Sequence, residues 1–407
     1  MAAVSGKGLL VQWIAGGASR VGDANSGGIL NRRGVAVLAA LAAFGCAGAR
    51  PEPASTFPRA QGVSIQTARP QSSAERYCAW YGAEGADDVL YFGEAAFWSA
   101  KAKAGDDPTA DLQQPGPQLI GRFDLVAERW LPPLEVGTPE SRSGVWDVLD
   151  GGDGEIYFTT FFEEAGSVSP ATGRVRRLAL GSALNELARG PDGSVLASRY
   201  GSGAADAGNG DVIAFDRDGR IVRRWSLAAP PGYRVAPKTP LWDALRGELW
   251  VTADQLPLAG GPSAALPPRQ DAVVVDASGR ARLQPEPPEL LFAAKSRDGE
   301  IYRAEADGRA LWLTVVPPRG ETRRVLLDAA FAPDLDFAQD IQVAADGRVA
   351  VTRWSGIVHV LERDGRVRSV ALPRPDPAGL YYTGVLNGQR LCVTYCADVT
   401  VVCVDAP

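Results

Sequence analysis

The sequence predicts an all-β fold assembled from repeated four-stranded antiparallel units, on three observations. Short β-branched runs recur along most of the chain, tight turn signals separate them, and Gly (46) and Pro (30) exceed what a helical protein would tolerate. Residues 338–372 show the unit most clearly. Ile341 and Val343, Val349 and Val351, Ile357, Val358 and Val360, then Val367 and Val370 form four runs, divided by turns at Asp346-Gly347, Ser355-Gly356 and Asp364-Gly365. One such meander cannot bury both of its faces, so it must stack on copies of itself.

The copies follow in chain order. The least regular unit, Glu75 to Val136, contains ERYCAWYG, DVLYFGEAAFW, PQLIGRFD and RWLPPLEV, with an insertion from Lys101 to Pro117. The second runs from GVWDVLD through EIYFTTFF and GSVSP to RVRRLAL. The third contains ALNELAR, SVLASRY, GDVIAFD and RIVRRWSL, with an insertion from Gly201 to Gly210. A fourth begins at PLWDALR, continues as ELWVTAD and, after an insertion from Gln255 to Gln270, returns as DAVVVDASGRARL. LLFAAKS, EIYRAEA, ALWLTVV and TRRVLLD form the fifth, and residues 338–372 the sixth. The last unit, YTGVL, RLCVTYC and VTVVCVD, lacks a fourth strand, and GVSIQT (Gly62 to Thr67) is the candidate to complete it. The expected architecture is therefore a seven-bladed β-propeller over residues 61–407, closed by an N-terminal strand that hides the edge of the last blade. Six blades is the alternative if the irregular first unit is not one.

Charge and motifs narrow the function classes. The net charge of −6 is spread without a basic block, so nucleic acid is not an expected partner. No Gly-x-Ser-x-Gly elbow, Cys-x-x-Cys pair or His-Glu-x-x-His helix occurs. His359 is the sole histidine; it shares a strand face with Ile357 and Leu361, which indicates a packing role and leaves no base for a Ser-His-Asp triad. Glycine pairs in the first thirty residues lack the Gly-Lys-Ser/Thr of a phosphate loop.

Residues 31–46 read as an address. Arg32 and Arg33, an apolar run from Val35 to Phe44, then Gly45-Cys46 follow the three-part order of a secretory signal, and the run is too short to span a bilayer. Its end resembles the bacterial lipoprotein signal, which implies lipidation of Cys46 and an exported, membrane-anchored protein of the periplasm, outer membrane or cell surface. Phe44 and Ala43 depart from the commonest residues of that signal; an ordinary secretory signal is the alternative. Residues 1–30 read as a misassigned leader, and 47–60, rich in Pro, Ala and Ser, as a tether. The membrane is then met through the lipid alone. With Cys46 so used, Cys78, Cys392, Cys396 and Cys403 remain, an even number suited to an oxidising compartment. A hairpin about Ala397-Asp398 sets Cys392 opposite Cys403 and leaves Cys396 for Cys78, one of three possible pairings.

In a propeller the first strand of each blade lines the central channel. Polar residues recur near the start of these strands: Asp147, Asn185 with Glu186, Asp243 and Asp340. The three insertions join second to third strands, whose loops emerge on the same face. Together they predict a binding mouth for a small-molecule ligand or protein partner. Oxygen ligands without His or thiolate suit Ca²⁺ or Mg²⁺ if a cofactor is held there at all; the structural alternative is that these side chains bond backbone groups of neighbouring blades. Trp146, Trp242, Trp250, Trp312 and Trp354 fall inside strand runs, as expected for packing between blades.

LNELARGPDGSVLASRY and VWDVLDGGDGEIYF give the region from Ser143 to Asp405 a pattern that resembles NHL-repeat proteins and the gluconolactonase/regucalcin-like propellers. That resemblance implies an ion held by a Glu, an Asn and an Asp on first strands and a metal-dependent lactonase or esterase-type hydrolysis. Asn185 and Asp243 match in type and order, with Asp147 nearby, whereas Arg142-Ser143 stands where the family's acid is expected.

Overall fold

In the computed structural model, the residues described are 57–68, 76–97, 118–138, 144–160, 165–181, 184–199, 210–258, 269–283, 289–297, 299–332, 336–376, 379–396 and 399–407. The expected leader, signal segment, Cys46 and most of the tether lie outside them, as do nearly all of the three insertions.

Seven four-stranded antiparallel sheets form the ring. Blade one is β2 (Arg76–Glu84), β3 (Val89–Phe97), β4 (Leu119–Asp124) and β5 (Arg129–Glu135), and blade two is β6 (Val145–Asp150), β7 (Ile156–Thr160), β8 (Ala165–Val168) and β9 (Val175–Leu178). Blade three is β10 (Leu184–Arg189), β11 (Val195–Arg199), β12 (Asp211–Phe215) and β13 (Ile221–Ser226). Blade four comprises β14 (Tyr233–Asp243), β15 (Glu248–Pro257), β16 (Arg269–Val275) and β17 (Ala281–Leu283). In blade five stand β18 (Glu289–Arg297), β19 (Glu300–Asp307), β20 (Ala310–Val316) and β21 (Arg323–Asp328). Blade six has β22 (Ala338–Val343), β23 (Val349–Arg353), β24 (Ile357–Leu361) and β25 (Val367–Ala371). Blade seven joins β26 (Leu380–Asn387), β27 (Arg390–Cys396) and β28 (Thr400–Asp405) to the N-terminal β1 (Ser64–Thr67), as the missing fourth strand required.

The core lies between blades. Because side chains alternate across each sheet, one face of a blade packs on the next. Leu196, Val212, Ala214 and Trp225 of blade three thus meet Leu249, Val251, Ala253 and Val273 of blade four. The equivalent seam between blades five and six joins Leu311, Leu313 and Val315 to Ile341, Val349 and Val351. Fully burying each such side chain contributes about 1.5–3 kcal/mol, which is why no blade stands alone. On the face away from the insertions, Asp-Gly turns recur. Asp346 accepts the Arg348 N–H at 3.0 Å, and Gly347 takes the left-handed φ of 85° that a side-chain-bearing residue disfavours.

Closure uses both ends of the chain. Ser64 pairs with Cys403 and Thr67 with Thr400. Just before β1, the residues expected to end the tether lie against blade six: Ala371 N–H donates to the Pro58 carbonyl at 2.9 Å and Ala60 N–H to the Ala371 carbonyl at 3.0 Å. Phe57 meets His359 edge-on, with ring centroids 5.4 Å apart. Both expected disulfides form: Cys392–Cys403 links β27 to β28, and Cys78–Cys396 links blade one to blade seven.

Blade four departs from expectation. Its first strand begins at Tyr233, well ahead of PLWDALR, and the paired β15 continues to Pro257, inside the presumed insertion. Two prolines, Pro237 and Pro240, fall within β14. Here they flank an irregularity in β14, an edge strand, where a missing N–H costs the ladder little.

A candidate ligand-binding site at the channel mouth

Every first strand is interrupted by a β-bulge close to the end from which the insertions emerge. The pairing register shifts between Ala79 and Gly82, Val145 and Asp147, Leu184 and Leu187, Pro237 and Pro240, Leu290 and Ala294, Ala338 and Asp340, and Tyr381 and Gly384. A bulge adds a residue to one strand and re-aims its side chains. Outside blade five, the residues so placed are Trp80 and Tyr81, Trp146, Asn185 and Glu186, Lys238 and Thr239, Gln339, and Tyr382 and Thr383.

The second strands support these bulges with a repeated device. A hydroxyl opposite the bulge accepts its backbone N–H: Ser198 from Glu186 at 3.1 Å, Thr252 from Thr239 at 3.1 Å and Thr394 from Thr383 at 2.9 Å. An N–H turned out of the ladder is thereby satisfied in a dry interior.

The mouth has two unlike sides. From blades seven, one and two come Tyr382, Trp80, Tyr81 and Trp146, whose ring centroids lie 5.0–5.5 Å apart in tilted and edge-to-face contacts. From blades three and four come Asn185, Glu186, Lys238 and Thr239. Thr239 donates to Glu186 Oε2 at 2.5 Å, Asn185 Nδ2 to the Pro237 carbonyl at 3.5 Å, and Lys238 pairs with Asp254 at 2.9 Å. Gln339 donates to the Tyr81 hydroxyl. Burial above all, then the charges of Glu186, Asp340 and Asp147 and the neighbouring Tyr382, push the Tyr81 phenol well above its ordinary pKa. It therefore remains a neutral hydroxyl among three acids.

Four of the five acids and amides expected at the mouth lie there. Asp147 and Asp340 act as clasps between blades. Asp147 accepts Val148 N–H at 2.9 Å and, across the seam, Leu187 N–H at 2.8 Å. Asp340 accepts Ile341 N–H at 2.8 Å and the Thr383 hydroxyl at 3.0 Å. Asn185 and Glu186 are bulge residues. Asp243 is elsewhere: it ends β14 at the opposite face, where it accepts Leu245 N–H at 3.0 Å and Arg246 N–H at 3.1 Å and pairs with the Arg246 guanidinium at 2.6 Å. The extended β14 is the cause, since it puts Lys238 and Thr239 at the height assigned to Asp243. Asp147, Asn185 and Asp243 consequently do not converge on one ion. Among the described residues no group of three or more His, Cys, Asp or Glu side chains is placed to hold a metal.

Trp80, Tyr81, Lys238, Thr239, Gln339, Tyr382 and Thr383 were not expected at the mouth. Their available signal is a residue that breaks strand alternation at the head of a first strand, as Gln339 does beside Asp340.

No family model matches this chain, and no curated protein does. Solved structures align with it at low identity. A catalytically inactive virginiamycin B lyase variant from Staphylococcus aureus, crystallised with quinupristin, aligns with a TM-score of 0.56 at 13% identity over 84% of this chain and 99% of that one. For a putative gluconolactonase the TM-score is 0.41 at 13% identity, covering 88% and 96%. For the propeller domain of the Trilobed protease from Pyrococcus furiosus, described as having an open velcro topology, it is 0.49 at 12% identity, covering 81% and 94%. At 13% identity the likeness to the lyase is one of architecture alone, and its seven four-stranded sheets make this chain a β-propeller.

Proposed function

We propose that this chain is an exported, lipid-anchored β-propeller that binds a ligand at the mouth formed by its seven bulges. One observation carries the reading. The hydroxyls that support the bulges recur in blades three, four and seven, as scaffold residues do, whereas no two blades whose bulges are described carry the same set of bulge residues. Repetition serves the blade; variation at one geometric position serves recognition. An aromatic side facing amide, acid and ammonium groups suits a ligand with an apolar face and a polar edge. Export is supported by the two disulfides and by the signal-like residues 31–46.

The mouth reading is tested by screening a metabolite and peptide library against the full chain by thermal shift, following hits by tryptophan fluorescence. A true hit perturbs the emission of Trp80 and Trp146 and weakens at least tenfold in Glu186→Gln. Hits that leave both the emission and the Glu186→Gln affinity unchanged would place binding elsewhere and defeat the proposal. Labelling with a radioactive fatty acid, present in the natural chain and lost in Cys46→Ala, tests the anchor separately.

A further inference from the structure

Gln255 lies on β15, in the hairpin that rises above the blade-four bulge from Tyr233 to Pro257. It is fully buried, and neither its amide nitrogen nor its amide oxygen has a hydrogen-bond partner among the described residues. Strand alternation sets its direction. Val235, directly opposite, and Ala253, two residues earlier, share its face of the sheet, and both pack on Leu196, Val212 and Ala214 of blade three. The carboxamide therefore stands on the face that blade four turns toward blade three, beyond their shared apolar core.

Among the described residues its surroundings offer it little. The Val235 carbonyl already accepts Gly210 N–H at 2.8 Å. Gly210 itself is pressed so closely that an added Cβ would stand 2.3 Å from Pro237 Cδ and 2.5 Å from the Arg199 carbonyl oxygen. Toward the channel the same two blades present Asn185 against the Pro237 carbonyl and the Glu186–Thr239 clasp. A buried primary amide with donor and acceptor both unused is unfavourable, and its retention calls for a group that completes it. The matching group offers an acceptor and a donor side by side, which is the pattern of another amide. We infer that Gln255 is a specificity residue of the mouth, pairing with a carboxamide or peptide group of a ligand lodged between blades three and four. The inference rests on the ligand-binding reading above. A trapped water would also occupy the amide, and it is the rival the experiment must separate.

The test uses the full chain with N-acetyl dipeptide amides and their depsipeptide isosteres, in which an ester replaces the peptide link. Affinity is read by calorimetry and thermal shift. Amides should bind at least tenfold more tightly than the isosteres, and Gln255→Leu should remove that preference without lowering the melting temperature of the free protein. Gln255→Glu, which keeps the size and the acceptor but lacks the donor, should lose affinity in between, and it serves if the Leu variant does not fold. A Gln255→Leu protein that melts higher and binds the amides as before would mean a buried water only and would overturn the inference. If the wider library yields mouth ligands but no amide binds, the amide assignment fails while the mouth reading stands. An absence of any mouth ligand would sink both.

Discussion

His359 shows how much one residue can govern. It is fully buried in β24, with Nδ1 2.8 Å from Ser369 Oγ and Nε2 3.4 Å from an Arg353 guanidinium nitrogen. Because Arg353 can only donate, Nε2 accepts and the proton rests on Nδ1. Burial first, then the charge of Arg353, lowers its pKa from 6.5 to about 3, with Asp328 opposing. A folded pKa below the unfolded one means that the unfolded chain takes up the proton first as the pH falls. The stability this residue contributes is thus complete above pH 6.5 and is lost between 6.5 and about 3. By pH 5 the loss should reach about 2 kcal/mol. Since no other histidine exists, urea titrations at pH 7.5, 6 and 5 should show a slope over this window that vanishes in His359→Gln; a slope that survives would assign it to other groups. At the mouth, Thr239→Val removes the hydrogen bond to Glu186, and a lost bond to a buried carboxylate should cost roughly 1.5–3 kcal/mol in the same assay.

At the scale of elements, blades meet through backbone as well as side chains. Gly93 on β3 has an ordinary φ, yet a Cβ there would stand 2.4 Å from the Val145 carbonyl oxygen of blade two. Backbone on both sides cannot give way, so Gly93→Ala should destabilise the chain by about 2 kcal/mol or more in chemical denaturation, from overpacking alone. Gly308→Ala, with open space around it, is the control for a left-handed turn. This scale also divides what was legible in the sequence from what was not. β-branched runs and Asp-Gly turns are local, so the blades could be read directly and the closing strand β1 singled out as a candidate, while the cysteine pairing was a preference among three that rested on the register of one hairpin. The bulges could not, because an extra residue in one strand is defined only against its partner. Blade four was misread for a related reason: the residues that β14 adds ahead of PLWDALR, Pro237 among them, read as strand only once the unpaired channel edge of β14 is known. Asp243 was consequently placed at the wrong end of its strand.

At the scale of the whole molecule, the two disulfides should differ in weight. Cys78 and Cys396 are 318 residues apart in sequence, Cys392 and Cys403 only 11. On a chain-entropy account the long closure restrains the unfolded state by roughly 6 kcal/mol and the short one by roughly 3 kcal/mol. The Cys78→Ser/Cys396→Ser protein should therefore melt below Cys392→Ser/Cys403→Ser; equal melting temperatures would show that pairing of β1 with β28 already makes the long crosslink redundant. The same closure sets a schedule on biosynthesis. β1 is made well before its partner, Thr400–Asp405. At roughly 5–20 residues per second, tens of seconds separate the two. Through that interval Cys78 has no native mate, so in an oxidising compartment the ring would be sealed correctly only if this thiol is left alone, or its early errors are undone, until the seventh blade arrives.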